Sequence, residues 1–149
     1  MRQAVIVGVY RYGHWVWTRV RVPLIRQVLY AVALVLQFLV MVTLHAEVRM
    51  QAEIGRNLRL GHGGHGVVVH AGARIGDDVV LTHGVTIGDD LKTGAPTLGD
   101  AVYVGTGAVI IGAVTVGDGA KIGANAVVLQ DVPAGATAVG VPARIVAGP

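Results

Sequence analysis

Aliphatic residues recur at every sixth position through most of the second half of the chain. One run consists of Val69, Ile75, Leu81 and Ile87. A period of six fits neither the 3.6-residue period of an amphipathic helix nor the alternation of a surface strand. It is typical of a parallel β-helix built from hexapeptide repeats, in which short strands turn a corner every six residues. The step of six resumes after an interruption, at Leu98, Val104, Ile110, Val116, Ile122 and Val128.

Two earlier residues, Ile54 and Leu60, begin the same pattern before two insertions interrupt it. The first insertion lies within residues 61–66, and the second lies between Ile87 and Leu98. With three sides per turn, the pattern predicts about four coils around one axial core. We call the recurring aliphatic residues ladder residues. They lie at positions 54, 60 and 69 in the first coil, 75, 81 and 87 in the second, 98, 104 and 110 in the third, and 116, 122 and 128 in the fourth. Loops on rigid scaffolds often carry function, so both insertions are candidate functional segments.

The N-terminal third has a different pattern. Residues 1–17 show no clear period, and no element is predicted there. Pro23 suits the first turn of a helix over residues 24–47, whose centre, 28–44, is almost wholly apolar. This helix packs against partner chains or, alternatively, touches a membrane, since its length approaches the roughly 20 residues that span a bilayer. The predicted division is an N-terminal helical segment, 1–50, a β-helix, 51–132, and a C-terminal tail, 133–149.

Composition narrows the class of protein. The chain has 149 residues, of which 53% are hydrophobic and only 14% are charged. A β-helix buries little beyond its axis, so association of chains is the natural way to cover such a surface. The absence of cysteine excludes disulfides, thiolate metal sites and cysteine nucleophiles. The net charge of +3 is modest, and no nucleic-acid-binding pattern is present.

Two histidines occupy matching positions in successive predicted coils. His62 is two residues after Leu60, and His83 is two residues after Leu81. Their rings should therefore stack roughly 4.8 Å apart, the spacing of neighbouring strands. The same column continues as Thr106 and Ala124. Side chains in this column become smaller from imidazole to hydroxyl to methyl, which suggests a reactive end at the histidines and a channel for a long ligand above them. Alternatively, His62 and His83 are solvated strand residues without a role in chemistry.

Several segments resemble the serine O-acetyltransferase branch of the hexapeptide-repeat acyltransferases. The resemblance covers residues 54–146, roughly two-thirds of the chain. It implies a left-handed β-helix, a homotrimer, and acetyl-CoA bound as cosubstrate in a groove between subunits. The matching segments are 66–69, 84–88, 119–124, 127–130 and 140–146.

This resemblance also implies roles for individual residues. His62 falls where the family keeps its catalytic histidine, and Glu47 falls where the serine enzymes place the carboxylate that orients it. An imidazole can take a proton from a hydroxyl near neutral pH, and general-base catalysis of this kind contributes roughly 10²–10⁴-fold. His65 and His83 are predicted to bind substrate. The residues predicted to bind the cosubstrate are Gly88, Lys92, Thr106, Lys121, Ala124 and Arg144.

The chain departs from the serine enzymes at three positions. Gly61 replaces an aspartate just before the catalytic histidine, and Gly94 and Ala95 replace an arginine-histidine pair before Pro96. The family uses those groups to hold the amino acid's ammonium and carboxylate. Transfer chemistry is therefore expected, whereas recognition of serine is in doubt.

The sequence thus predicts a cytoplasmic acetyl-CoA-dependent O-acetyltransferase that acts on serine, a sugar or another small alcohol. No metal site is predicted, because the histidine spacing matches no metal site and carboxylate or thiolate ligands are lacking. The alternative from another class is a non-catalytic trimeric scaffold, attached to a membrane through residues 24–47, whose active site has decayed.

Overall fold

A computed structural model describes residues 1–146. Two antiparallel helices, α1 (Arg2–Arg19) and α2 (Pro23–Leu44), precede the β-structure. Pro23 stands at the start of α2, as predicted, where its missing N–H costs nothing. The helix ends at His45, which has a left-handed conformation and donates its N–H to the carbonyl of Met41 at 3.1 Å. The helix predicted over 24–47 is therefore too long by three residues, and Glu47 lies in a strand.

Within the described residues, fifteen short strands form the body of the molecule, and nearly all of them pair in parallel into three flat faces. The first face has the order β1-β4-β7-β10-β13, the second β11-β8-β5-β2, and the third β15-β14-β12-β9-β6-β3. This arrangement confirms the predicted left-handed parallel β-helix of about four coils with an N-terminal helical segment. In chain order the strands are β1 Glu47–Val48, β2 Glu53–Ile54, β3 Arg59–Leu60, β4 Val68–Val69, β5 Arg74–Ile75, β6 Val80–Leu81, β7 Thr86–Gly88, β8 Thr97–Leu98, β9 Tyr103–Val104, β10 Val109–Ile111, β11 Thr115–Val116, β12 Lys121–Ile122, β13 Val127–Val128, β14 Thr137–Val139 and β15 Arg144–Val146.

The observed register matches the predicted ladder. Leu60 pairs with Leu81, and Leu81 with Val104, on the third face. The ladder residues point inward and form the core. The coil pattern also extends further than expected at both ends. Val48 pairs with Val69 below the first predicted coil, and Thr137 adds β14 in parallel beside β12.

Several ladder residues are followed by glycine, as in Ile75-Gly76 and Leu98-Gly99. Gly76 and Gly99 do not have positive φ, so a left-handed corner is not the reason for them. They are required because a Cβ at Gly76 would lie 2.7 Å from backbone atoms of Gly99 in the next coil. The carboxylate of Asp100 folds over the same place and accepts the N–H of Asp77 at 2.7 Å, and Asp118 repeats this contact one coil higher with Asp100. This aspartate ladder ties successive coils together.

Helix α1 closes the open end of the β-helix. The Tyr10 hydroxyl donates to the carbonyl of Ala52 at 2.8 Å, and the Arg11 guanidinium donates to that of Ile54 at 2.9 Å. His14 Nδ1 lies 2.9 Å from the carbonyl oxygen of Met50. These polar side chains face unpaired carbonyls of the first coil. The buried side of α1 is therefore not uniformly apolar, which is why the sequence shows no helical period there.

Helix α2 is apolar on almost every side, and only Ala33 and Val40 are buried. By length and composition it could cross a membrane, and only 11% of its most apolar stretch is buried. Core helices of soluble proteins can have the same length and composition.

Candidate active site

The corner between the third and first faces gathers four histidines. Backbone bonds define equivalent positions: Gly66 donates its N–H to the carbonyl of His45 at 2.7 Å, and Gly84 donates to that of His65 at 2.8 Å. Gly107 donates to the carbonyl of His83 at 3.0 Å in the same way. His45, His65 and His83 therefore occupy one column in three successive coils.

His62 stands beside this column because the first insertion adds residues at the corner. The insertion forms a short 3-10 segment, Gly61–Gly64, in which His62 has φ 51° and Gly63 has φ 75°. A left-handed conformation is unusual for a residue with a side chain, and such strain is often found at functional sites. The insertion thereby turns an exposed imidazole outward above the first coil.

The rings of His62 and His83 are 4.9 Å apart between centroids, close to the predicted 4.8 Å, although the position in register with His83 is held by His65 and not by His62 as predicted. Their planes meet at 86°, so the rings lie edge to face and do not stack. The second pair, His45 and His65, has centroids 5.3 Å apart and planes tilted by 39°. The corner therefore presents two histidine pairs side by side.

His45 is the residue that the sequence analysis missed. The helix predicted over 24–47 includes it, and that prediction gives it no role in the site. The signal was present nonetheless: Val48 lies six residues before Ile54, which extends the ladder by one side of a coil. That extension places His45 at the same corner as His65.

The histidine column continues upward as predicted. Thr106 Oγ1 lies 3.4 Å from His83 Nδ1, so the hydroxyl of one coil contacts the ring of the coil below. Ala124 follows one coil higher and is exposed. The side chains along this corner shrink from imidazole to hydroxyl to methyl, which leaves a strip of open backbone above the histidines.

Glu47 lies at the edge of the first face, where it pairs with Val68. Its carboxylate contacts Arg49 Nη2 at 2.6 Å. Among residues 1–146, the structure shows no hydrogen bond between the side chains of Glu47 and His62. An ion pair of this exposure contributes about 0–1 kcal/mol, so the carboxylate can change partner at little cost.

The residues predicted to bind the cosubstrate fall at different corners of one chain. Lys121 lies in β12, and Arg144 lies in β15 on the same third face, with β14 between them. Gly88 ends β7 and precedes the second insertion, which contains Lys92. That insertion turns the corner from the first face to the second, so Lys92 and Lys121 do not share a corner.

The second insertion is held in one conformation by Asp90. Its carboxylate accepts the N–H of Thr93 at 2.7 Å and the Thr93 hydroxyl at 2.8 Å. These hydrogen bonds, together with one from the N–H of Lys92, hold the pKa of Asp90 well below its usual range. Thr93 Oγ1 also accepts the N–H of Ala113 at 3.0 Å, which anchors the loop to the next coil. At the loop tip, Leu91 is 93% exposed.

The imidazoles and carboxylates of this region do not form a metal centre. Among residues 1–146, no three His, Asp or Glu side chains are grouped so as to hold an ion. The arrangement offers exposed imidazole nitrogens, which can accept a proton and donate hydrogen bonds.

Comparisons with known proteins agree with this architecture. Residues 95–130 match the family model of the bacterial transferase hexapeptide, described as six repeats. The serine acetyltransferase of Escherichia coli strain K12 is 44% identical over 143 residues, which cover 94% of this chain and 49% of the relative. The chain therefore spans about half the length of that relative.

Solved structures of serine acetyltransferases are also similar. The soybean enzyme in complex with serine has a TM-score of 0.80 and 39% identity, covering 93% of this chain and 54% of its own. A serine acetyltransferase in complex with CoA has a TM-score of 0.85 and 36% identity, covering 98% of this chain and 58% of its own. By its six-residue ladder, its fold and these likenesses, the chain is similar to serine acetyltransferases, and its residues 95–130 match the bacterial transferase hexapeptide.

Proposed function

We propose that this protein transfers the acetyl group of acetyl-CoA to a hydroxyl of a small acceptor. The observation that carries the proposal is the pair formed by the exposed His62 and the partly buried His83, whose ring centroids are 4.9 Å apart at a corner of the β-helix. It occurs in a chain that is 44% identical to a serine acetyltransferase and resembles a structure with bound CoA.

In the proposed reaction, His62 acts as general base. Its free ring nitrogen takes the proton of the acceptor hydroxyl while the oxygen attacks the thioester carbonyl. Backbone N–H groups near the corner stabilise the negative oxygen of the tetrahedral intermediate. The intermediate then expels the CoA sulfur, which receives the proton from His62, and the acetyl ester remains on the acceptor.

The other histidines and Glu47 are proposed to position the reactants. His83, already in contact with Thr106, and His65 offer ring nitrogens to the acceptor. Glu47 would orient His62 after exchanging its Arg49 partner. That exchange is a small rearrangement, because the Glu47 side chain is partly exposed and its ion pair is weak.

The cosubstrate is proposed to lie along a groove between two copies of the chain in a homotrimer. In one chain, Lys92 lies at a different corner from Thr106, Lys121, Ala124 and Arg144. A neighbouring copy could bring its Lys92 and Gly88 to the histidine corner. The cationic side chains would then contact the phosphates of CoA.

Serine is the acceptor named by the relatives, and we propose it as one acceptor among small alcohols. The positions that hold its charged groups in typical serine enzymes are Gly61, Gly94 and Ala95 here, so we expect serine to bind weakly. Neutral hydroxyl compounds need no such charged clamp.

A thiol-release assay tests this function. Acetyl-CoA is supplied with serine, homoserine or simple sugars, and free CoA is detected with a thiol reagent. Release that depends on the acceptor and yields an acetyl ester supports the proposal. If acetyl-CoA binds but no acceptor stimulates the formation of free CoA, the non-catalytic scaffold is favoured instead.

A further inference from the structure

The segment that carries His62 is rich in glycine. Four of the six residues at 61–66 are glycine, and glycine loses more conformational freedom on folding than any other residue. His62 itself has a left-handed conformation, with φ 51°. The Glu47 carboxylate, its proposed orienting partner, contacts Arg49 instead. The position of His62 therefore depends on the surfaces against which this segment packs.

One of these surfaces is the next coil of the β-helix. A Cβ added to Gly61 would lie 3.2 Å from the Cα of Thr82 and 3.2 Å from its methyl carbon. Thr82 is buried, and its hydroxyl donates to the carbonyl of Val104 at 2.8 Å. The side chain that faces Gly61 is therefore itself held in place. This contact favours a residue without a side chain at position 61 and fixes the beginning of the segment.

The other surface is helix α1. Ile6 is 1% exposed, and its Cδ1 lies 3.1 Å from the position that a Cβ of Gly64 would take. One turn earlier in the helix, the Cβ of Arg2 lies 3.2 Å from the corresponding position at Gly63. The side chains of Ile6 and Arg2 therefore occupy the space beside the two glycines that follow His62.

We propose that Ile6 of α1 is a positioning residue for the His62 base. Its terminal methyl holds Gly64 in place, so that the His62 ring stays beside the ring of His83. The inference rests on the proposed function, because it assumes that His62 takes the proton of the acceptor. It gives α1 a role in the reaction in addition to closing the open end of the β-helix.

The cost of losing this contact should fall on kcat. A misplacement of about 1 Å in a reacting group can cost roughly 100-fold in rate. Without the Ile6 methyl, the glycine-rich segment gains conformations in which the His62 ring points away from the acceptor. CoA affinity should not change, because Lys121, one of the residues proposed to bind CoA, lies in β12, three strands from β3 on the third face.

Three variants of α1 separate this role from ordinary packing. Ile6→Val removes only the Cδ1 atom that faces Gly64. Ile6→Leu keeps methyl groups at the δ position and is the conservative variant. Val16→Ala is the matched control, because Val16 is fully buried on the same helix, ten residues or about 15 Å from Ile6. It removes two methyl groups, so it disturbs α1 at least as much as Ile6→Val.

Each variant is measured in two independent ways. Thiol release from acetyl-CoA, with the acceptor that the natural protein uses best, gives kcat, and equilibrium binding gives CoA affinity. Hydrogen–deuterium exchange of residues 61–66 reports the opening of the segment without reference to activity. We expect Ile6→Val to lower kcat about fivefold and to speed this exchange, with CoA affinity unchanged. Ile6→Leu and Val16→Ala should keep kcat within about twofold of the natural protein.

A lower kcat and faster exchange in Ile6→Val, both restored in Ile6→Leu, support the inference. An equal loss of kcat in Val16→Ala overturns it, since the packing of α1 as a whole is then responsible. Unchanged kcat and exchange in Ile6→Val overturn it as well. If the natural protein shows no acceptor-dependent thiol release, the proposed function fails and exchange alone decides the inference. Faster exchange in Ile6→Val than in Val16→Ala then supports the hold of Ile6 on the segment, and equal exchange overturns it.

Discussion

The axial core makes a quantitative prediction at Leu81. This residue is fully buried, and its neighbours on the third face are Leu60 below and Val104 above. Leu81→Ala removes buried methyl groups and leaves a cavity that the rigid stack of coils cannot close. Such a change costs about 2–5 kcal/mol, a large fraction of a domain stability of about 5–15 kcal/mol.

The matched control is Leu91→Ala, since Leu91 is 93% exposed at the tip of the second insertion. The same chemical change there should alter stability by less than about 0.5 kcal/mol. Urea unfolding is followed by far-ultraviolet circular dichroism at one protein concentration, because assembly adds to the apparent stability. With a slope of about 1–3 kcal/mol per molar urea, the midpoint of Leu81→Ala should fall by about 1 M or more. Equal midpoints for the two variants would refute the inward orientation of Leu81.

Three further predictions concern the corners and the acceptor. Gly99→Ala should destabilise the protein by about 1–3 kcal/mol in thermal unfolding, because its Cβ would lie 2.9 Å from the Asp118 backbone nitrogen. The control Gly8→Ala should not destabilise the protein, because there is open space around Gly8. Comparable losses of stability in the two variants would contradict the close approach at Gly99. The N–H and guanidinium of Arg56 hold the pKa of Asp77 below its ordinary 3.8, so the stability that this carboxylate contributes is present above that pH and lost below it. The Tm of Asp77→Ala should therefore lie below that of the natural protein at pH 7 and approach it in acid, whereas a constant difference would contradict the ion pair. In thiol-release kinetics, serine should show weak turnover and a high KM, and saturation at micromolar serine would mean that other residues, such as His65, replace the missing clamp.

Much of the fold could be predicted because one period controls the whole core. Each ladder position from Ile54 to Val128 is set by the same local rule, so errors do not accumulate along the chain. The N-terminal region obeys no such rule. The polar residues Tyr10 and His14 face carbonyls of the first coil, and this pairing depends on a surface that exists only after the coils have formed.

The candidate site was predictable in position and less so in detail. Counting from Leu60 and Leu81 places His62 and His83 at one corner, but His65 is the residue in register with His83, and His62 stands beside it because of the insertion. The count of residues reveals neither the angle of 86° between their ring planes nor the left-handed conformation of His62. The Arg49 partner of Glu47 was also missed, since contact between these side chains depends on how they leave the strand edge.

The central claim is that His62 removes the proton from the acceptor, and kinetics of His62→Ala test it most directly. The comparison uses His83→Gln and Glu47→Gln, with thiol release giving kcat and an equilibrium measurement giving CoA affinity. His62→Ala should lower kcat by about 10²–10⁴-fold with CoA affinity nearly unchanged, which is the signature of an interaction made in the transition state. His83→Gln should cost far less, and Glu47→Gln should fall between them. Loss of turnover in His83→Gln, with most of it kept in His62→Ala, would contradict the assignment and make His83 the base.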